Sequence, residues 1–199
     1  MKQLFSLLIL LAFLSCKNDV PVDTKLKEIS EKSLKNPTNP DQLKLPKACE
    51  LLDVAKVQEI LKAKSAVNLK DADDPTNTSA SSCFFKWDDP DTPNAGILIQ
   101  IQKNPVFNEY DQYISTFVSS KITEGETTLG DAAPKKYKTF NAGGFSGAYS
   151  FEHSRFYWNI GSDYLFMLAF NVSTLSEGDM VEIAEVIAAE VNKNFAGTL

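Results

Sequence analysis

The sequence predicts an α+β fold: an antiparallel sheet of about five or six strands in a layered sandwich with three helices. One observation is a series of segments in which apolar and polar residues alternate, which is typical of strands. A second is that segments with helical periodicity come before, between and after those strands. Helices in these positions can cover both faces of a sheet. Both observations fall within residues 49–199, which are therefore predicted to form a single domain.

The first predicted helix runs from Val54 to about Lys62. Asp53 is a suitable N-cap, because its carboxylate can accept a hydrogen bond from the first turn. The residues expected to be buried share one helical face: Val54, Val57, Ile60 and Leu61. The polar segment 71–82 that follows contains a proline and is predicted to be a loop.

Two strands are predicted next, over Cys83–Trp87 and Gly96–Lys103, joined through residues 88–95. Alternation puts the apolar side chains of each strand on one face. In the first strand these are Cys83, Phe85 and Trp87, and in the second they are Ile97, Ile99 and Ile101.

Two further helices are predicted from capping pairs. Asn108 is expected to cap the second helix, with Asp111 at the reciprocal position. Ser176 with Asp179 opens the final helix, whose apolar stripe has helical period and whose other face is rich in glutamate.

Aromatic residues concentrate in segment 137–170, which holds eleven of the twenty-one in the chain. We expect three strands there, near 148–152, 155–160 and 164–171, in an antiparallel meander. In the last strand both alternate sets of side chains are apolar. Both faces of the sheet are therefore expected to be covered at that strand.

The amino terminus forms a separate unit. A short basic start precedes an apolar run of eleven residues, Leu4 to Leu14, which as a helix covers about 16 Å of a bilayer core about 30 Å thick. The run closes on the letters FLSC, ending at Cys16, and then turns polar. This layout resembles the lipobox of bacterial lipoproteins. The resemblance implies that residues 1–15 are a signal peptide and that lipid on Cys16 anchors the protein; the alternative is a plain signal peptide with an incidental cysteine.

Residues 16–48 are predicted to be the lipidated cysteine and a disordered tether. The segment has four prolines, no aromatic residue and few large apolar ones, so it cannot bury enough surface to offset its ordering entropy. A helix near 24–34 is expected to be marginal. Residues 17–48 carry seven lysines against five acids, a net charge of +2 beside a membrane whose headgroups are anionic.

The domain itself is strongly acidic. Residues 49–199 hold twelve basic and twenty-one acidic residues, a net charge of −9, with Arg155 as their one arginine. Such a domain lacks the basic patch that neutralises a phosphate backbone, so nucleic-acid binding is disfavoured.

With Cys16 taken by lipid, Cys49 and Cys83 remain as an even pair in an exported chain. A disulfide between them is the default expectation, and two separate buried thiols are the alternative. The single histidine and the absence of a C-x-x-C spacing argue against a structural zinc site.

Three short motifs follow one another along the domain: CELLD at 49–53, CFFKW at 83–87 and LGDAA at 129–133, ahead of the aromatic meander and the closing helix. This frame resembles small secreted lipoprotein domains of unknown function, some of which are similar to the PsbP-like sandwich. The resemblance covers residues 49–195. It implies this fold and a disulfide, and it implies no settled activity.

Residues 144–148, GFSGA, are close to a nucleophile elbow, which requires G-x-S-x-G between a strand and a helix. Because Ala148 replaces the last glycine and a strand follows, the glycines are expected to bend the chain into that strand. His153 is expected to be an exposed turn residue, and a hydrolase would require it to lie within hydrogen-bond reach of a serine or aspartate.

Two acidic loops are conceivable calcium ligands. They contain Asp71, Asp73 and Asp74, and Asp88, Asp89 and Asp91. Neither has the ligand spacing or the glycine of an EF-hand, so we expect solvated loops and predict no metal and no cofactor.

The strand at 155–160 supplies the candidate ligand-binding residues. Phe156, Trp158 and Ile160 are expected to face the core. Arg155, Tyr157 and Asn159 then lie on the other face, where an aromatic side chain between polar ones is suited to a sugar or peptide.

These observations favour a lipid-anchored lipoprotein of the cell envelope, expected on the outer membrane because Lys17 stands where an inner-membrane retention signal has Asp. Its domain is predicted to be a non-enzymatic module that binds a protein or another envelope component. The alternative is a receptor for a small ligand or carbohydrate, and a hydrolase is a third hypothesis.

Overall fold

The computed structural model describes residues 23–127, 131–172 and 174–199. Its α-helices are α1 (Thr24–Lys35), α2 (Val54–Leu61), α3 (Tyr113–Thr123) and α4 (Glu177–Thr198). Its strands are β1 (Asn68–Asp71), β2 (Ala80–Asp89), β3 (Thr92–Lys103), β4 (Lys138–Ala142), β5 (Phe145–Ser150), β6 (Arg155–Ile160) and β7 (Tyr164–Asn171). Two short 3₁₀ turns lie at Pro40–Gln42 and Ala48–Glu50.

The strands form one antiparallel sheet in the order β1-β2-β3-β7-β6-β5-β4. The α+β class is confirmed, but in the described residues the sheet has seven strands rather than five or six, and there are four α-helices rather than three. The two strands beyond the five named from the sequence, β1 and β4, are the edges of the sheet. All four residues of β1 are exposed, so it has no alternation that would reveal a strand, and β4 alternates over only its last four residues.

One face of the sheet, called the inner face below, carries the main core. Its inward side chains are almost completely buried: Cys83, Phe85, Trp87, Ile97, Ile99, Ile101, Phe156, Trp158, Ile160, Phe166 and Leu168. Helix α4 covers this face with Met180, Ala184, Ile187, Val191 and Phe195, and α2 adds Val57. The predicted core side of β6 is therefore confirmed.

The helix ends over the inner face follow the predicted capping. The Asp53 carboxylate accepts from the N–H of Ala55, and the Ser176 hydroxyl accepts from that of Asp179. Both side chains satisfy backbone donors that the first turn of a helix leaves unpaired.

A disulfide joins Cys49 to Cys83, with their Cα atoms 4.9 Å apart. It ties the 3₁₀ turn at Ala48–Glu50 to strand β2 at the inner face. The predicted pairing is confirmed, and the alternative of two separate thiols does not apply.

The predicted tether is wrong for residues 24–48, which are part of the folded body. Helix α1 buries Leu26 in the main core, and the hydroxyls of Ser30 and Ser33 accept from the N–H groups of Gly161 and Ser162, each at 3.0 Å. A Cβ at Gly161 would lie 1.7 Å from the Ser33 oxygen, so this contact requires glycine. Few apolar residues suffice because they enter a core that the rest of the chain has already formed.

The other face of the sheet, the outer face, is covered in part by α3, which buries Ile114 and Val118 in a second, smaller cluster. This helix begins at Tyr113 and not after Asn108 as predicted. The side chain of Asn104, which is 3% exposed, donates to the carbonyls of Tyr110 and Asp111. These bonds hold residues 105–111 in turns, so the helix begins only after them.

Candidate binding face on the outer side of the sheet

The strand register places a row of side chains across the uncovered part of the outer face. Residues directly opposite in antiparallel strands share a face, and the pairs run Lys70, Phe84, Leu98, Ala169, Arg155. The three apolar members at the centre are half-buried, and the two cations at the ends are exposed. We call this set the outer row; it crosses four strand spacings, about 19 Å.

The outer row is positively charged, although the domain as a whole is acidic. Lys86, on the same face as Phe84, adds a third exposed cation, and Asp88 is the one acid that β2 places on that face. A partly apolar surface with cations at its borders is suited to an acidic partner.

The next row on this face lies under α3. It runs Ser82, Gln100, Met167, Tyr157, Ala148 in register. Between these strands and α3 lies a cavity of about 170 Å³, called the α3 cavity below. Its walls are Gln100, Gln102, Tyr113, Phe117, Tyr157, Leu165 and Met167.

The structure separates the three residues predicted to form one ligand-binding surface. Arg155 is exposed and belongs to the outer row, whereas Tyr157 is only 6% exposed and lines the α3 cavity. Asn159 donates to the carbonyl of Gly161 at 2.6 Å, next to the β6–β7 turn. The expectation that Tyr157 lies on an open face is wrong, because α3 covers it and Phe117 packs edge-on against its ring.

A polar cluster that sequence reasoning missed borders the α3 cavity. The ammonium of Lys121 lies 4.9 to 5.7 Å from the ring centres of Phe117, Tyr137 and Tyr157 and binds the Glu126 carboxylate at 2.7 Å. Tyr137 donates to the same carboxylate, also at 2.7 Å. Cation–π contacts and a carboxylate together compensate for the partial burial of the lysine.

The titration of this cluster follows from its contacts. The hydrogen bond from Lys121 lowers the pKa of Glu126, and burial opposes it only in part. Burial raises the pKa of Tyr137, and its bond to Glu126 raises it further. Glu126 is therefore charged and Tyr137 neutral near pH 7, which is the arrangement of a structural ion pair rather than of a general base.

His153 lies in the β5–β6 turn and is partly buried rather than exposed. Its Nδ1 lies 3.4 Å from the Tyr137 hydroxyl, and its backbone N–H donates to the Ser150 hydroxyl. Residues 143–144 form the tight β4–β5 turn, with positive φ at both glycines, and Ser146 is exposed on β5. Gly144 thus turns the chain into a strand as predicted, whereas Gly147 lies within β5 and does not bend the chain into it.

The two acidic loops lie along different parts of β2: Asp71 is opposite Cys83 and Asp73 binds Ser82, whereas Asp88 and Asp89 end the strand, about 20 Å further along it. In the first loop, Asp73 binds Lys47 and the N–H of Ser82. In the second, Asp89 accepts from the N–H groups of Lys64 and Ser65. No cluster of three or more His, Cys, Asp or Glu that could hold a metal occurs in the described ranges.

A wider groove, about 660 Å³, lies on the opposite side of the molecule along α4, beside α2 and the β4–β5 turn. The polar groups at its border largely bind one another. Lys193 pairs with Glu190, and Glu185 accepts from the N–H of Asn141. We therefore regard the outer face as the better candidate.

Cys16 and the predicted signal peptide lie outside the described residues. Within residues 23–127, 131–172 and 174–199 no helix is long and apolar enough to cross a membrane. Comparison of the chain with family models, curated proteins and solved structures finds no match.

Proposed function

We propose that this protein is a lipid-anchored, non-enzymatic module of the cell envelope that binds an acidic partner protein through its outer row. The anchor in this proposal is Cys16 after removal of residues 1–15, and the compartment is the outer membrane. The outer row is the observation on which the proposed binding role rests.

The position of α1 limits how far the domain would stand from the proposed anchor. The first described residue, Asp23, follows Cys16 by seven residues, which reach at most about 25 Å when fully extended. Helix α1 then starts at once. The domain is thus held near the membrane instead of on a tether of more than thirty residues.

The outer row supports the choice of partner. Phe84, Leu98 and Ala169 present apolar area, while Lys70 and Arg155 stand at its two ends. In the part of the chain that the structure describes, the Lys70 ammonium has no hydrogen bond or ion pair, and the Arg155 guanidinium bonds only to Tyr157. Both charges are therefore available to an acidic surface.

The binding proposal is tested by capture from detergent-solubilised membranes with the tagged full-length protein. The double variant Lys70→Glu, Arg155→Glu is compared with Lys27→Glu, Lys35→Glu, which changes the net charge equally on the exposed side of α1. We expect a partner that both wild type and the α1 variant retain and that the outer-row variant loses by about tenfold or more, with binding weakened by salt. Equal capture by all three proteins would contradict the proposal.

The anchor is tested by labelling cells with palmitate. Label should enter the wild-type protein and be absent from Cys16→Ser, which should also leave the membrane fraction. Unlabelled, soluble wild-type protein would contradict the anchor. The result of the capture experiment with the outer-row variant would not be affected.

A second candidate function is a receptor for a small ligand. The observation that favours it is the α3 cavity, which contains Tyr157 from the predicted ligand-binding set. A fluorescence or heat signal on titration with a panel of sugars and metabolites would support it.

A further inference from the structure

The α3 cavity has the size of a site for one ring. Its volume of about 170 Å³ is below the roughly 300 Å³ at which sites for drug-sized ligands begin. Helix α3 forms its roof with Tyr113 and Phe117, and strands β3, β6 and β7 form its floor. Only two side chains of α3 itself are buried, those of Ile114 and Val118.

The walls of the cavity carry no charged side chain. Two cations lie next to wall residues, and both have partners: the Lys121 ammonium binds Glu126 and lies over the Phe117 and Tyr157 rings, and the Arg155 guanidinium bonds to Tyr157. An ionised ligand would lose part of its water and gain no counter-ion among the residues that line the cavity. The occupant is therefore neutral.

Two amides on β3 provide the polar contacts. Gln100 donates to the Ser82 hydroxyl at 3.0 Å, which leaves its carbonyl oxygen available. The side-chain amide of Gln102 has no hydrogen-bond partner among the described residues. Because the two residues are two positions apart on one strand, both amides lie along the same side of the cavity.

The rest of the wall is aromatic or polarisable. Phe117 lies between Tyr113 and Tyr157, with ring centres at 5.7 and 5.3 Å, and Met167 contributes a thioether. Ring edges and thioether sulfur both contact aromatic faces favourably. A planar ring thus matches this wall better than a pyranose, whose several hydroxyls would face only two amides.

We propose that the α3 cavity binds a neutral aromatic ring that carries one amide-like or phenolic hydrogen-bonding group. The ring packs against Phe117, Tyr157 and Met167, and its polar group bonds to Gln102. This inference rests on the second candidate function, the small-ligand receptor, and not on the lipid anchor; the site adjoins the outer row, because Arg155 bonds to Tyr157.

The methionines offer a reporter and an internal control. Met167 lines the cavity, whereas Met180 is buried in the main core beyond the other face of the sheet. The full-length protein, labelled with ¹³C at the methionine methyl groups, is titrated with benzamide, benzoate and methyl glucoside. Benzamide should shift the Met167 signal with a dissociation constant on the order of millimolar, as expected for a ligand of this size, and leave Met180 unchanged.

Benzoate has nearly the shape of benzamide but carries a charge, and it should shift Met167 at least about tenfold more weakly. Gln102→Leu keeps the volume and removes the amide, so benzamide should bind about fivefold more weakly. The matched variant Gln42→Leu, in the exposed 3₁₀ turn, should bind benzamide as wild type does.

Three results would overturn the proposal. Met167 could fail to respond to any probe, benzoate could bind as tightly as benzamide, or the glucoside could shift Met167 in place of benzamide. Unaltered methionine spectra of the free variants show that the domain is folded, so loss of binding in Gln102→Leu reports on the cavity.

Discussion

The inner face of the sheet is covered along its length by α2, α4 and the segment that ends at the disulfide, and every inward isoleucine of β3 is fully buried. On the outer face α3 covers only part of the sheet, and the outward residues of β3 remain half-exposed. The same strands thus have a closely packed core on one side, and on the other side the exposed outer row and the α3 cavity. This difference indicates that the inner face contributes most of the stability of the fold, and it is the reason that we place the proposed binding surface on the outer face.

Neighbouring residues in β7 give the most direct test of this contrast. Phe166 is fully buried on the inner face between Trp158 and Phe195, while Met167 is half-buried beside the α3 cavity. Phe166→Ala should lower the free energy of unfolding by about 3 to 5 kcal/mol, and Met167→Ala by about 1 kcal/mol or less. Urea denaturation measures both, and losses of equal size would contradict the contrast.

The disulfide is the covalent part of the inner layer and gives the next largest effect. It closes a loop of sequence separation 34, for which chain entropy corresponds to about 3 to 4 kcal/mol. The double variant Cys49→Ala, Cys83→Ala should lose about this amount and should not respond to dithiothreitol, whereas wild type should. A variant as stable as the oxidised wild type would show that the inner layer does not depend on the bond.

The parts of the fold that the sequence predicted are those with local signals. Asp53 and Ser176 cap their helices as expected, alternation predicts β2, β3 and β6, and a continuous apolar run predicts β7. The local sequence predicts only a marginal helix at α1, because two of its serines are bonded by distant groups, the N–H groups of Gly161 and Ser162. No local pattern shows that residues 129 and 131 positions away supply those bonds.

The candidate site was predictable only in part for the same reason. Alternation placed Arg155 and Tyr157 on one face, but whether α3 covers that face depends on tertiary packing. Gln100 and Gln102 had a visible signal, since they alternate with buried isoleucines on β3. The Lys121–Glu126 pair had none, because its partners meet through a turn and not through helical spacing.

The Glu126 carboxylate tests how firmly α3 is held on the outer face. Glu126→Gln removes the counter-ion of Lys121, whose side chain is only 13% exposed, so we expect a loss of about 1 to 2 kcal/mol at pH 7. The matched variant Glu59→Gln removes the carboxylate from an exposed pair with Lys56 and should change stability by less than about 0.5 kcal/mol.

The pH dependence of Glu126→Gln sharpens this test. Because the folded pKa of Glu126 is lowered, its contribution is complete above the unfolded-state pKa and is lost as pH falls through the folded value. The difference in stability between wild type and Glu126→Gln should therefore shrink as the pH is lowered from 7 to about 3. A difference that stayed constant over this range would mean that the charge of Glu126 does not hold the cluster.

The smallest expected effect is a gain in stability rather than a loss, and it concerns the packing of the amino-terminal segment against the β6–β7 turn. Asp163 is 4% exposed and accepts from the N–H and hydroxyl of Thr38, and burial raises its pKa. The folded protein therefore holds this proton more tightly than the unfolded chain, so stability falls as pH rises from the ordinary aspartate pKa through the raised one. Asp163→Asn keeps an acceptor for the Thr38 N–H and removes the buried charge. At pH 7 the free energy of unfolding of this variant should equal that of wild type or exceed it by up to about 1 kcal/mol, and the gain should be lost near pH 3. Urea denaturation at the two pH values measures this. A clear loss at pH 7 would show that the charged bond to Thr38 outweighs the burial of the carboxylate.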